Sequence, residues 1–279
     1  MSAKPEEEWV TVRVSPGSNR TAVIAAMFDA GVQGLEEAGE TLVTHVAGQS
    51  FANDVLCAVM AASADARVET APLPNVDWSE QWKAGIHVQS LGTLFVAPPW
   101  LSDGLDPART IVIEPGMAFG TGEHATTRGV IRLLQRVIVP GDRVADLGAG
   151  SAVLAIAAAK LGASRVAAIE LDHDAIGNAE ENIVRNDVAD RVTVVEGDAA
   201  ALLPLVAPVR VITANIISSV LIELLPVMAA SLTAGGHAIL SGILVSERDE
   251  MQDVLEDSGW RIVEEDQEDN WWSATIRRR

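Results

Sequence analysis

From about residue 90 the chain alternates strand-like and helix-like segments, and this alternation limits the fold more than any other feature. Short β-rich runs such as RVADLGAG and RVAAIELD are followed by longer apolar segments with helical spacing, such as SAVLAIAAAKLGA. This order predicts an α/β fold, a mostly parallel sheet covered by helices on both faces. The last two of seven strands, WRIVEED and WWSATIRR, have no helix between them, so we expect an antiparallel hairpin at one edge.

The first 75 residues have a different pattern, in which strands and helices follow a β-α-β-β-α-β order. No glycine-rich loop or acid–base pair occurs there. We therefore predict a small α+β recognition domain over residues 1–75, with a purely structural role as the alternative. Residues 76–90 are predicted to form a linker in which Trp78 and Trp82, spaced i, i+4, dock the two domains. The second domain is predicted over residues 91–279.

Composition narrows the choice of partners. The formal charge of −19 disfavours direct nucleic-acid binding and favours a basic partner, although solubility alone also explains it. No run of about 18 apolar residues occurs, and the first residues lack the apolar stretch of a secretory signal, so we expect a cytoplasmic protein without a membrane span. The single cysteine, Cys57, is predicted to be a small buried helix residue. No residue cluster has metal-ligand spacing, so we expect no metal, and we expect a monomer.

The first strand of the repeating part ends in a glycine turn, DLGAGS, which runs from Asp146 to Ser151. In open α/β sheets ligands bind at the carboxyl ends of the strands, and Gly148 and Gly150 let the backbone approach a ligand closely. The dinucleotide fingerprint requires a glycine at position 153, where this chain has Val153. The missing glycine argues against the rival class, a nicotinamide-dependent oxidoreductase.

Carboxylates at successive strand ends indicate the ligand. Glu170 lies about 20 residues after the turn, where an acidic side chain reaches ribose hydroxyls. Asp146 suits an ammonium group beside a carboxylate, and Asp198 can accept from an adenine amino group. S-adenosylmethionine carries all of these groups, so we predict it as the cofactor. Asp172 is instead predicted to cap the helix that begins at His173.

Four segments together resemble the signature motifs of the ribosomal protein L11 methyltransferase family: the loop EPGMAFGTGEHATT (Glu114–Thr127), the glycine turn, TANI (Thr213–Ile216) and LSGIL (Leu240–Leu244). The resemblance covers nearly the whole length. It implies a Rossmann-like class I methyltransferase domain and an N-terminal ferredoxin-like domain that recognises the ribosomal protein.

The implied reaction is transfer of methyl groups from S-adenosylmethionine to amino groups of ribosomal protein L11. Lysine side chains are the expected acceptors, and the N-terminal amine is an open alternative. Another protein lysine, a small molecule and an inactive binding module remain alternative readings. Two residues depart from the family pattern: Ala152 stands where a third glycine is usual, and Glu170 stands where Asp is more common.

Roles for single residues follow from the resemblance and from the chemistry of methyl transfer. Thr127 corresponds to a threonine that contacts the cofactor. Asn215 is the predicted catalytic residue, because its side-chain oxygen can accept from the substrate amine while its nitrogen faces the cofactor. A free lysine has a pKa near 10.4, so the site must favour the neutral amine. His124 is predicted to order the loop rather than to touch substrate. The predicted cover loop comprises Phe119, Gly120, Thr121, Gly122 and His124.

Overall fold

The computed structural model describes residues 9–32, 34–39, 41–72, 86–115 and 120–279. The chain divides into two compact units, Met1–Lys83 and Ala84–Arg279.

The predicted linker, residues 76–90, overlaps the junction between these units. Trp78 and Trp82, which were predicted to dock the two domains, lie outside the described residues. The domain boundaries therefore stay predictions.

The first unit is a four-stranded antiparallel sheet with two helices, and its strand order is β2-β3-β1-β4. Alternate residues of β1 (Val10, Val12 and Val14) are buried against helix residues such as Met27 and Val55. This alternation fixes which face of the sheet the helices cover. The elements are β1 Trp9–Ser15, α1 Arg20–Asp29, β2 Glu36–Ala38, β3 Thr41–Ala47, α2 Gly48–Ala62 and β4 Arg67–Pro72.

Cys57 lies in α2 as predicted, but its side chain is exposed, so the prediction of a buried cysteine was wrong. The buried positions of α2 are Ala52, Val55 and Val59, which share one helical face. Cys57 falls outside that face because it is two residues from both Val55 and Val59.

The second unit begins with a small sheet that we did not predict, in the order β5-β6-β7. Its strands are β5 Gln89–Leu91, β6 Leu94–Ala97 and β7 Thr110–Val112, and a 3₁₀ turn, Pro99–Leu101, follows β6.

Two asparagines anchor the end of this sheet. The side chain of Asn186 accepts from Val112 N at 2.8 Å and donates to Val112 O at 2.7 Å, which pairs both backbone groups of the last residue of β7. Asn182 accepts from Glu114 N at 3.0 Å, so the first residue of the signature loop is fixed to the same helix.

The main sheet has seven strands in the order β10-β9-β8-β11-β12-β14-β13. The first five strands in this order run parallel, and β14 is antiparallel to both of its neighbours. The predicted α/β fold class and the edge hairpin are confirmed. The strands are β8 Arg143–Leu147, β9 Arg165–Glu170, β10 Val192–Glu196, β11 Val209–Asn215, β12 Leu232–Leu244, β13 Trp260–Glu268 and β14 Trp271–Arg278.

Helices cover both faces of this sheet because neighbouring strand residues point to opposite sides. Val144 of β8 belongs to the hydrophobic cluster on one face of the sheet, whereas the next residue, Ala145, belongs to the cluster on the other face. The helices are α3 Ala125–Val137, α4 Val153–Lys160, α5 His173–Arg185, α6 Ala199–Val206, α7 Ser218–Ser231 and α8 Arg248–Asp257, with a 3₁₀ turn at Val245–Glu247. No helix in the described ranges has the length and apolar character needed to cross a bilayer.

The chain order along the sheet reverses beside β8. Strands β9 and β10 extend the sheet on one side of β8, and β11 then pairs with its other side. Such a switch point leaves a crevice at the carboxyl ends of the strands. The glycine turn after β8 lies at this crevice.

Candidate functional site

The glycine turn after β8 uses left-handed backbone conformations at alternate residues. Gly148 and Gly150 have φ values of +69° and +51°, which glycine adopts without strain. A Cβ on Gly148 would lie 2.5 Å from Cγ2 of Ile216, so the turn closely approaches the segment that follows β11. Ala152, at the position of the family's third glycine, also has a positive φ of +65°. Its methyl group makes that conformation less favourable, which is the physical reason for a glycine there.

The carboxylate of Glu170 holds this turn in place. Its Oε2 accepts from Gly150 N at 2.7 Å, and its Oε1 accepts from Asp172 N at 2.9 Å. The ends of β8 and β9 are thereby tied together by one side chain. Each oxygen retains a lone pair, so the predicted contact with a ribose remains compatible with these bonds.

Asp198 lies next to Glu170, because Gly197 N donates to Glu170 O at 2.7 Å. Its Oδ1 accepts from Ala200 N at 2.9 Å, which makes it the N-cap of α6. This cap leaves Oδ2 as the oxygen for the predicted adenine contact. Asp172 accepts from Asp174 N at 3.0 Å and caps α5, which confirms its predicted role.

Asp146 is fully buried. Its Oδ1 accepts from Thr213 Oγ1 at 2.6 Å, and its Oδ2 accepts from Ala155 N at 3.1 Å. Burial raises the pKa of Asp146 to about 7, although the two hydrogen bonds act in the opposite direction. The geometry gives Asp146 the role of joining β8, β11 and α4, and its direct contact with a ligand ammonium stays a prediction.

Asn215 is the last residue of β11 and is partly exposed. Its Nδ2 lies 3.5 Å from Oγ1 of Thr127, which is buried in the first turn of α3. The predicted catalytic residue and the predicted cofactor-contacting threonine are therefore neighbours. Because the amide nitrogen faces Thr127, the amide oxygen is available to accept from another donor.

Glu247 joins the start of α7, which follows Asn215 in the chain, to the end of β12, the strand that pairs with β11. Its Oε1 accepts from Ser218 Oγ at 2.7 Å, and its Oε2 accepts from Leu244 N at 2.8 Å. These bonds lower the pKa of Glu247, with the Leu244 N–H as the larger cause. Two apolar side chains of these segments are exposed: Ile217, two residues after Asn215, and Leu244, at the end of the neighbouring strand β12.

The described end of the signature loop packs against the glycine turn. Ser151 Oγ donates to Gly120 O at 2.6 Å. Gly120 and Gly122 have φ values of +105° and +89°, and a Cβ on Gly122 would overlap the side chain of Val96. Thr121 lies between these glycines, whereas Phe119 lies outside the described residues.

His124 orders the entry to α3. Its Nδ1 lies 3.4 Å from Thr126 N and 2.7 Å from Thr126 Oγ1, so it is the N-cap of the helix. Its ring meets the ring of Trp271 edge-on, with centroids 4.9 Å apart. Burial, and secondarily the charge of Arg128, lowers the pKa of His124 and favours a neutral ring. These contacts support the predicted ordering role.

The candidate residues form two groups on opposite sides of β8. Glu170 ends β9 and Asp198 follows β10, whereas Asn215 ends β11. Since neighbouring strands lie about 4.8 Å apart, strands β9 and β11 are separated by roughly 10 Å. An extended ligand across the glycine turn can therefore meet the acids with one end and Asn215 with the other. Within the described ranges, no group of three or more His, Cys, Asp or Glu side chains is placed to hold a metal ion.

Some residues of this site were not predicted from the sequence. Thr213 binds Asp146, Trp271 contacts His124, and Arg128 donates to the carbonyl of Glu123. Thr213 lies within the TANI motif and could have been considered. The sequence around Trp271 and Arg128 did not indicate a role for either residue. Trp271 contacts a residue that is distant in the chain, and Arg128 binds a backbone carbonyl.

The family model described as ribosomal protein L11 methyltransferase (PrmA) matches residues 20–279. The chain belongs to the ribosomal protein L11 methyltransferase family. The resemblance inferred from the motifs is therefore confirmed.

Relatives in this family align with large parts of the chain. A ribosomal protein L11 methyltransferase of Carboxydothermus hydrogenoformans is 38% identical over 203 residues, which cover 72% of this chain and 66% of that protein. One from Chloroflexus aurantiacus is 37% identical over 235 residues, which cover 76% and 72%. The chain thus spans about two thirds to three quarters of the length of these relatives.

The fold comparison agrees with the sequence comparison. The crystal structure of a ribosomal protein L11 methylase from Lactobacillus delbrueckii subsp. bulgaricus superposes with a TM-score of 0.62 at 30% identity. The match covers 69% of this chain and 99% of that chain. The fold of this chain is therefore similar to that of a solved ribosomal protein L11 methylase.

Proposed function

We propose that this family member transfers methyl groups from S-adenosylmethionine to amino groups of ribosomal protein L11. Lysine side chains are the proposed acceptors, and the N-terminal amine is a further one. One observation carries the proposal: two carboxylates and an amide lie on opposite sides of a close-approach glycine turn at the strand switch point. Family membership supplies the reaction class and the protein substrate. Because a ribosomal protein is the proposed substrate, we place the reaction in the cytoplasm.

The residues present fit this cofactor. The left-handed turn at Gly148 and Gly150 keeps side chains away from the crevice, while Glu170 and Asp198 offer acceptors for ribose hydroxyls and an adenine amine. S-adenosylmethionine supplies an electrophilic methyl group on a sulfonium. Asp146 supports the glycine turn from below the crevice, because its carboxylate binds Thr213 of β11.

Asn215 positions the acceptor amine. Thr127 fixes the amide nitrogen, so the amide oxygen accepts an N–H of the substrate and directs the nitrogen lone pair. A neutral amide stabilises an ammonium less than a carboxylate in its place would, so it raises the pKa of the substrate amine less. Exposed Ile217 and Leu244 offer apolar contact to the hydrocarbon stem of a lysine.

The first unit is proposed to recognise the ribosomal protein. The described hydrogen bonds that organise Glu170, Asp146 and Asn215 all lie within the second unit. The fold of the first unit has the split βαβ strand order, and the net charge of the chain suits a basic substrate.

The proposal is tested by cofactor binding and by methylation. We expect calorimetry to show binding of S-adenosylhomocysteine and not of NAD, and mass spectrometry to show methyl groups on purified ribosomal protein L11. Glu170→Ala should weaken S-adenosylhomocysteine binding by about tenfold or more, because a hydrogen bond involving a charged group contributes roughly 1.5–3 kcal/mol.

Val139→Ala is the folding control, because Val139 is exposed and precedes the amino end of β8, whereas the candidate site lies at the carboxyl ends of the strands. Unchanged affinity in folded Glu170→Ala would remove Glu170 from the cofactor site. Methylation of another basic protein, with none on ribosomal protein L11, would overturn the assigned substrate.

A further inference from the structure

The side chain of Arg128 joins the signature loop to the edge hairpin. Its Nη1 donates to the carbonyl oxygen of Glu123, one residue before the cap of α3. Its Nε donates to Glu268 Oε1 at 2.8 Å, and its Nη2 lies 2.5 Å from the same oxygen. One guanidinium therefore binds a loop carbonyl and a carboxylate that is 140 residues away in the sequence.

Arg128 is the first of three arginines along one face of α3. Arg132 binds Asp266 through contacts of 2.5 and 2.8 Å, and Arg136 pairs with Glu264. Four helical residues advance about 6 Å and two strand residues about 6.8 Å, so this spacing keeps the helix and β13 in step.

The three arginines differ in the other groups that their side chains contact. Arg132 also reaches Glu268 Oε2 at 2.7 Å, so it supports the carboxylate that holds Arg128. In the part of the chain that the structure describes, Arg128 is the one of these three arginines that donates a hydrogen bond to the signature loop. Arg136 lies two helical turns farther along α3.

The loop end held by Arg128 reaches both halves of the candidate site. On one side, Gly120 O accepts from Ser151 in the glycine turn. On the other, the backbone continues through His124 into Thr127, which contacts Asn215. A shift of the Glu123 carbonyl would therefore move the loop against the turn and move Thr127 against Asn215.

We propose that Arg128, held by Glu268, is a positioning residue that fixes the Gly120–His124 loop end for methyl transfer. It acts through the loop backbone and touches neither the cofactor nor the amine. The inference rests on the proposed methyltransferase function. It assigns to the edge hairpin the task of supporting the active-site loop.

The test compares Arg128→Gln with the matched variant Arg136→Gln on the same helix face. Arg136 and Glu264 also form an ion pair between α3 and β13, but Arg136 is more exposed, at 58% against 17% for Arg128. Rates are therefore measured well below the unfolding temperature of either variant. We expect kcat for methylation of ribosomal protein L11 to fall at least tenfold in Arg128→Gln and to stay within twofold in Arg136→Gln.

A second measurement does not depend on turnover. S-adenosylhomocysteine affinity should fall at least threefold in Arg128→Gln and remain unchanged in Arg136→Gln. If Arg128→Gln does not fold, Glu268→Gln replaces it, with Glu264→Gln as its control. We expect Glu268→Gln to show the same selective loss, because Gln accepts from Arg128 with less charge assistance.

Equal losses in the two arginine variants, or native kcat and affinity in folded Arg128→Gln, would overturn the positioning role. If Glu268→Gln is the variant used, a loss no greater than that of Glu264→Gln would do the same. Failure of the proposed function is distinguishable, because the unmodified protein would then neither bind S-adenosylhomocysteine nor methylate ribosomal protein L11.

Discussion

Asp146 is a fully buried carboxylate that supports the glycine turn of the site. It accepts hydrogen bonds from Thr213 and from the backbone of Ala155, so it joins two strands and a helix below the glycine turn. Complete burial removes the carboxylate from water and favours its protonated form. The residue therefore makes the stability of this region depend on pH.

Asp146→Asn should become more stable relative to the unmodified protein as the pH rises. The pKa is about 7 in the folded chain against an ordinary value of 3.8, so the folded state retains a proton that the unfolded state releases. The contribution of Asp146 is thus present below about pH 4 and is lost as the pH rises to about 7. The pH-dependent part of the difference in unfolding free energy between the two proteins should reach at most about 4 kcal/mol. Urea unfolding at pH 5 and pH 8 measures it, and a pH-independent difference would contradict the assignment.

Substitutions of Asn215 should separate charge from position. Asn215→Asp retains an acceptor oxygen but adds a negative charge, which holds the substrate amine in its ammonium form. Asn215→Ala removes both the acceptor and the donor, so the amine is no longer oriented. Both variants should lose most of their turnover at neutral pH. The Asp variant should recover in part between about pH 7 and 10, whereas the Ala variant should recover much less.

Rates for ribosomal protein L11 across this range decide between the two effects. Ser219→Ala, an exposed substitution in the first turn of α7, controls for damage to that helix. Near-native turnover of Asn215→Ala at neutral pH would place amine positioning elsewhere, with the described loop end Gly120–His124 as the next region to change.

At the scale of elements, the contact between α3 and the edge hairpin depends on a glycine in the middle of a helix. A Cβ on Gly129 would lie 2.6 Å from Ser273 Oγ and 3.2 Å from Asp266 Oδ1. Ser273 in turn lies 2.7 Å from Ser241 on β12, the strand neighbour of Asn215. Glycine lowers helix stability by about 1 kcal/mol relative to alanine, and here it permits close packing.

Gly129→Ala should therefore destabilise the protein although alanine favours the helix. We expect a net loss of roughly 1–2 kcal/mol in urea unfolding, since overpacking typically outweighs the gain in propensity. Gly177→Ala in α5 is the matched control, because a Cβ added there would meet no atom within 4 Å and we expect a gain of about 0.5–1 kcal/mol. Similar effects of the two substitutions would show that α3 and the hairpin tolerate a wider separation.

At the scale of the whole molecule, the two units are expected to divide cofactor chemistry from protein recognition. The second unit contains both hydrophobic clusters that cover the main sheet, and the first unit has a core of its own. A chain of residues 84–279 should bind S-adenosylhomocysteine within about threefold of the full protein. Its methylation of ribosomal protein L11 should fall at least a hundredfold, because the proposed recognition surface is missing.

Calorimetry and mass spectrometry of the truncated chain check both parts of this prediction. A short lysine peptide is the control substrate, because its methylation should change much less than that of the ribosomal protein. Full methylation of ribosomal protein L11 by residues 84–279 would show that recognition resides in the second unit.

Much of this architecture was predictable because it repeats along the chain. Alternating strands and helices indicated the parallel sheet, and the missing helix before β14 indicated the hairpin. The glycine turn and the cap at Asp172 are local patterns that sequence displays directly. The sheet of β5, β6 and β7 was missed because its strands are only three or four residues long.

The contacts that organise the site were harder to predict because they join distant segments. Asp146 and Thr213 meet only because β8 and β11 are neighbours in the sheet, which the order of segments does not reveal. The pairing of Arg128 with Glu268 requires the relative placement of α3 and β13. Composition and periodicity carry no information on either of these two contacts.

The position of β14 has a consequence for biosynthesis. Of the seven strands it leaves the ribosome last, yet it lies between β12 and β13. Until it emerges, the part of β12 that pairs with it, Ala238–Leu244, forms an open edge whose backbone groups can pair with another chain. At about 5–20 residues per second, translation from β12 to β14 lasts a few seconds. During this interval the open edge of a nascent chain needs shielding from neighbouring chains on the polysome. The contact between His124 of the signature loop and Trp271 of β14 forms only when the interval ends.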